Sequence, residues 1–211
     1  TGLYGIVDNS KNVVLANNYQ EIQKVYGNNL YVVTQDGKQK VVNSAGEDVL
    51  TQGFEQISAI LKTQDQGVIY VSNGQYGVMT LTGEVKIPAQ YSNLVEAKAN
   101  TFIATKDGKQ GIVDVDNNEK VPFNYTSISY NETGDIYIAE DENFNSNIMN
   151  SNFEIKQTGI LIEVNTDSGY FELRQEDDYK YYNFRFEERD VKEILNNNTL
   201  FLDKKDNKYG Y

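Results

Sequence analysis

Three groups of residues in this sequence carry side chains that could do chemistry. Asp114-Val115-Asp116-Asn117-Asn118 has the D-x-D-x-N opening of a calcium loop, in which alternate oxygen-bearing side chains converge on one cation. The sixth loop position, Glu119, is not the glycine that such a loop needs for its sharp turn, and the twelfth, Tyr125, is not a bidentate glutamate. The segment is therefore expected to be a polar turn, and no resident metal or cofactor is assigned. Glu140-Asp141-Glu142, Glu176-Asp177-Asp178 and Glu187-Glu188 form a second group. Two carboxyls held about 5 to 9.5 Å apart would suit glycoside cleavage, but adjacent acids in an acidic chain are ordinarily a solvated face, and no catalytic residue is assigned. The third group is a ligand-binding candidate: Arg174, Arg185, Tyr179, Tyr181 and Tyr182, with Arg189 and four further aromatics close by. Arginine and tyrosine concentrate in binding hot spots, and tyrosines also stack on sugar faces and cations. The competing expectation is a strand with one buried face, because Tyr182-Asn183-Phe184-Arg185-Phe186 alternates with a period of two.

The composition removes much other chemistry. The 211 residues contain no cysteine and no histidine. Disulfides, thiolate nucleophiles, Ser-His-Asp systems and two-histidine zinc sites are thereby excluded. A formal charge of −12 would repel nucleic acid, and no apolar run reaches the 18 residues of a membrane helix. Hydrophobic residues make up 39% of the chain, yet 16 Tyr and 9 Phe let few side chains bury large areas.

The elements that would position these residues repeat. Tyr4-Gly5 with Ile6-Val7-Asp8 returns as Tyr76-Gly77 with Val78-Met79-Thr80 and as Gln110-Gly111 with Ile112-Val113-Asp114; a degenerate copy is Gln39-Lys40 with Val41-Val42-Asn43, and Tyr209-Gly210 is a last trace. Anchors at positions 5, 40, 77 and 111 are 35, 37 and 34 residues apart. Tyr19, Phe54, Tyr91 and Tyr125 follow fourteen residues later, and Ile22, Ile57, Leu94 and Ile128 follow seventeen later. Weaker copies have anchors near Asn147 and Tyr182, with Leu161 and Val164 in the core slots, and a shortened last spacing of 28.

Asp36-Gly37, Asn73-Gly74 and Asp107-Gly108 predict two-residue hairpin turns, because both central positions need positive φ. A second turn is expected near Asp114 to Asn117, and Pro88 and Pro122 are expected at strand ends or sheet edges. The three-residue step from Tyr125 to Ile128 would put the two on opposite faces of a flat strand or on one side of a short helical turn, and the sequence leaves both open. Val191, Ile194 and Leu195, with Glu188 and Lys192 four apart, suggest a short amphipathic helix. The expected fold is all-β: tandem repeats of about 35 residues, each of three to four short antiparallel strands, as a propeller-like or open superhelical array. Residues 1–130 hold the regular repeats. Residues 131–211 hold degenerate, aromatic-rich ones, with 18 acidic and 9 basic residues.

The sequence of hairpin turn, aromatic-glycine pair, apolar pair, second turn, proline and late aromatic resembles the WG β-repeat (KWG-like) family of bacterial tandem repeat proteins, with Tyr or Gln where the family has Trp. The resemblance implies a non-catalytic interaction module, secreted or at the cell surface, that binds a protein partner or, alternatively, a carbohydrate or other envelope ligand. A carboxylate-based glycosidase is the remaining alternative.

Overall fold

A computed structural model describes residues 2–25, 29–61 and 67–190, and the backbone of 203–205 and 208–210. Every described element is a strand, and all pairings are antiparallel. The helix expected around Val191, Ile194 and Leu195 lies outside the described residues. The chain divides into two compact units, residues 1–123 and 124–211.

The first unit contains four small sheets. β1 (Tyr4–Val7) pairs with β2 (Val13–Tyr19). β3 (Glu21–Val25), β4 (Leu30–Gln35) and β5 (Lys38–Asn43) form the second sheet. β6 (Gln56–Ile60), β7 (Gly67–Ser72), β8 (Gln75–Thr80) and β9 (Val85–Tyr91) form the third. The fourth contains β10 (Asn93–Lys98), β11 (Thr101–Lys106), β12 (Lys109–Asp114) and β13 (Glu119–Tyr125), whose last two residues open the second unit.

Both turns of the repeat can be read in the backbone. Asp36-Gly37, Asn73-Gly74 and Asp107-Gly108 all have positive φ at both positions, the requirement of a type I′ hairpin. The second turn is five residues closed by its first side chain. In Asp114 to Asn118 the carboxylate accepts from the backbone N–H of Asp116 and of Asn118, the Asn117 N–H bonds the Asp114 carbonyl, and Asn117 takes φ 64°. The same device starts at Asp8, Asn43, Asn150 and Asn183, and at Thr80 with a hydroxyl as the acceptor. Its starting points are 35, 37, 34, 36 and 33 residues apart, so the period runs through both units. It also fixes the later anchors at Asn147 and Lys180, the second being two residues ahead of Tyr182.

The anchor glycine has a steric cause. Between the pairs Tyr76↔Tyr91 and Val78↔Ile87, one residue of β8 faces three of β9, so the outer strand bulges over Gly77. A Cβ there would lie 2.6 Å from the Ile87 carbonyl oxygen and 2.8 Å from the Ala89 nitrogen. Pro88 sits in this bulge, inside an edge strand and not at its end, where its missing N–H leaves no ladder bond unmade. Gly5 faces the same one-to-three bulge. Where Lys40 replaces glycine, the outer strand shrinks to the isolated bridges Gln39↔Phe54 and Val42↔Asp48.

Tyr19, Phe54, Tyr91 and Tyr125 are all buried, and Ile57, Leu94 and Ile128 with them. No helical turn joins Tyr125 to Ile128: the chain bends at Thr126, whose N–H and hydroxyl both bond the Glu140 carbonyl. Gln20 and Glu55 hold equivalent bends, and their side chains accept from the backbone of the next hairpin turn at Gly37 and at Asn73. Cores therefore form between successive sheets: Val32, Phe54, Ile57 and Val68 in one, Ile69, Val78, Leu94 and Phe102 in the next. No small sheet could bury its apolar faces alone.

The second unit contains one seven-stranded sheet, in the order β14 (Ser127–Asn131), β15 (Ile136–Glu140), β16 (Ser146–Met149), β17 (Ile155–Asn165), β18 (Tyr170–Gln175), β19 (Asp178–Asn183) and β20 (Glu188–Arg189). A separate hairpin joins β21 (Asp203–Lys205) to β22 (Lys208–Gly210). Here the outer strand of one repeat runs straight into the first strand of the next as β17, with a register shift between Leu161 and Glu163. Leu161 and Val164 pack on the core of Ile136, Ile148, Phe171 and Leu173.

Replacing Gly77 with Ala is expected to cost about 1–3 kcal/mol, because the clash is with backbone that cannot move aside. Denaturant unfolding of the variant measures it, and an unchanged midpoint would contradict the bulge.

Candidate binding site

Strand parity sorts the five candidate residues. Along β18 and β19 the pairs Arg174↔Tyr179 and Glu172↔Tyr181 share one face, while Phe171↔Tyr182 lies on the other. Tyr182 is 4% exposed, stacks on Phe171 at 5.5 Å and donates its hydroxyl to Gln175. It is a core residue and offers a ligand no surface. Tyr179 is 44% exposed, and Arg174 is exposed with no ion pair among the described residues. Tyr181 is half-buried and donates to Glu172, and Tyr170 meets it edge-on at 5.9 Å. Arg185 is exposed in the turn that Asn183 closes.

Glu163 stands directly across from Glu172. Burial pushes the Glu172 carboxyl above its ordinary value, the Tyr181 hydroxyl opposes that shift, and the Glu163 charge adds to it. The sequence did not single out this carboxyl pair, because it depends on the register across the Thr166 to Gly169 turn. The acid clusters it did single out are largely turn residues: Asp141 closes the Asp141 to Asn145 turn and Glu187 accepts from Asn183. Among the described residues, no group of three metal-ligating side chains converges.

Beside Arg174 lies a cleft of about 750 Å³, lined by Asn145, Thr158, Arg174, Gln175, Glu176 and Lys180 among others. At its rim the chain turns through Asp141 to Asn145, which replaces the two-residue hairpin turn of the other repeats with a copy of the five-residue device. The left-handed position of this turn is Phe144, at φ 63°. Side chains other than Gly and Asn are strained in that region. Phe153 and Phe186 hold the same position in their turns and rest on Tyr137 and Phe171. Phe144 is 68% exposed and makes no ring contact among the described residues. The sequence signal for it was an aromatic between two asparagines, in a turn that starts thirty-four residues after Asp107.

No family model matches the chain, and no curated protein matches it in sequence. Solved structures do match in fold. A eukaryotic initiation factor superposes with a TM-score of 0.52 at 9% identity, over 88% of this chain and 59% of that one. Hsv2 of Kluyveromyces lactis superposes with a TM-score of 0.50 at 7% identity, over 87% of this chain and 66% of that one. Both are β-propellers. At such identity the likeness concerns fold alone, and this chain spans just under two thirds of these chains or less. No described helix is long and apolar enough to cross a membrane.

The calcium-loop pattern at Asp114 is spent on the fold. Burial opposes ionisation of Asp114, but bonds from the Asn118 side chain, Lys120 (2.9 Å) and the Asn118 N–H outweigh it and hold the carboxyl at about 2. The folded value lies below the ordinary 3.8, so the turn's contribution is complete above about pH 4 and is lost as pH falls through about 2. Asp114→Asn is expected to flatten that acid-side loss in a pH series of denaturation midpoints. Added calcium is expected to leave the midpoint of the unmodified chain unchanged.

Proposed function

We propose that this chain is a non-catalytic binding module of WG-like β-repeats, arranged as in a propeller, that engages a protein partner through Phe144, Arg174 and Tyr179 around the cleft of the second unit. One observation carries the reading: Phe144 is apolar, exposed and held at a left-handed φ by the turn that Asp141 closes, and among the described residues no ring packs on it as rings pack on Phe153 and Phe186. Such strain persists where the side chain is needed outside the fold. Arg174, without an ion pair among the described residues, supplies a guanidinium to the cleft that Phe144's neighbour Asn145 also lines, and Tyr179, its cross-strand partner, a rigid aromatic; these residue types dominate interface hot spots. The likeness to propellers supports a scaffold that presents a surface, and the acidic composition suits a basic partner.

Phe144→Asn separates binding from folding, since Asn117 already holds the equivalent position at φ 64°. The variant is expected to be about 0.5–1 kcal/mol more stable. Proteins captured by the unmodified chain would then be titrated against both forms. The reading expects at least one of them to bind the variant about tenfold more weakly or worse. Equal binding of every captured protein to both forms, or capture of glycans alone, would overturn it.

A further inference from the structure

Asparagine followed by glycine occurs once in the sequence, at Asn73-Gly74, in the hairpin turn between β7 and β8. Such a pair carries its own chemistry. The Gly74 nitrogen, once base has taken its proton, can attack the side-chain carbonyl carbon of Asn73. The bond from that carbon to Nδ2 breaks, ammonia leaves, and a five-membered imide joins side chain to backbone. Water then opens the ring at either carbonyl and leaves aspartate or isoaspartate. The net change is water consumed and ammonia released. Glycine favours the attack because no side chain shields its nitrogen, and a Cβ at Gly74 would meet no atom within 4 Å.

The fold locks other asparagines against this reaction. Asn43 and Asn150 each precede a serine, but each side-chain oxygen accepts two backbone N–H bonds and each Nδ2 donates to a glutamate, Glu47 or Glu154, at 2.8 Å. Turning either amide toward the next nitrogen would break all three bonds. The Asn73 side chain is exposed and makes no hydrogen bond among the described residues. At this turn the fold holds the nucleophile instead. Glu55 accepts from the Asn73 N–H at 2.8 Å through Oε1 and from the Gly74 N–H at 3.3 Å through Oε2. The Asn73 bond, and then the Gly74 bond, hold the Glu55 carboxyl below its ordinary value. It is therefore an anion at neutral pH and too weak a base to take the Gly74 proton. Its charge opposes both the nitrogen anion and the negatively charged adduct that the attack forms.

We propose that Asn73-Gly74 is a self-modifying deamidation site, and that Glu55, reaching from the bend before β6 to the tip of the next hairpin, holds the reaction back. The two products differ in consequence. Aspartate suits the turn, since Asp36 and Asp107 hold the equivalent position at φ 51° against 52° for Asn73. Isoaspartate adds a methylene to the backbone, which a two-residue turn accommodates only by shifting β7 against β8. The site thus ends as a further Asp-Gly turn or as a loosened third sheet, and losing the Glu55 contact hastens both.

The test follows the whole chain in mildly alkaline buffer by peptide mass mapping, beside the free peptide Val-Ser-Asn-Gly-Gln-Tyr. Asn73 is expected to lose its amide more slowly in the chain than in the peptide, while Asn43 and Asn150 keep theirs. In Glu55→Gln the loss at Asn73 is expected to be about fivefold faster than in the unmodified chain, the factor that a unit charge about 4 Å away gives in water. Glutamine already holds the equivalent bend at Gln20, so the fold has a precedent for this variant. Glu55→Ser, with the residue type that Ser92 places at the bend before β10, is the second variant and should accelerate the loss at least as much. No loss at Asn73 in any form of the chain, or loss in both variants at or below the rate of the unmodified chain, would overturn the proposal.

Discussion

The structure depends on the close approach of an outer strand to a bare Cα. At Gly77 and at Gly5 three residues of the outer strand arch over one residue of the anchor strand, and only the absence of a Cβ lets the backbones meet. That arch sets the direction in which the outer strand leaves, hence where Tyr91 or Tyr19 enters the core. The bend one residue later then starts the next sheet. Copies without the glycine find other solutions. At Lys40 the outer strand is nearly lost, and at Asn147 the outer strand pairs directly, Asn147 opposite Thr158, and continues as β17. The drift in the later repeats thus has a local steric origin.

Much of this was legible because the same physical demand recurs at fixed offsets. The type I′ turns were read from Asp-Gly and Asn-Gly pairs, since few other residues take positive φ twice in succession. The aromatic and aliphatic slots were read because a buried position between sheets tolerates little else. The bend was not legible: Gln20, Glu55, Ser92 and Thr126 share a task of bonding the next hairpin, yet differ in side chain. The anchor of the last described repeat was placed two residues late because Lys180 gives no glycine signal.

The candidate site was legible in composition and less so in geometry. Arg174, Tyr179 and Tyr181 emerge on one face, but membership of that face is a matter of parity, and parity follows from the hairpin at Glu176-Asp177. Tyr182 falls on the core side for that reason alone. Phe144 escaped notice because its meaning lies in a backbone angle and in the lack of packing around it. The two phenylalanines at equivalent positions show that the fold can use such a residue by covering it.

The measurement that bears most directly on this account is amide exchange in a Lys40→Gly variant, read over residues 48–54. If the anchor glycine is what permits the outer strand, these amides should gain protection toward the level of residues 85–91. Unchanged or reduced protection would contradict the claim that the anchor's Cβ decides whether the fourth strand forms.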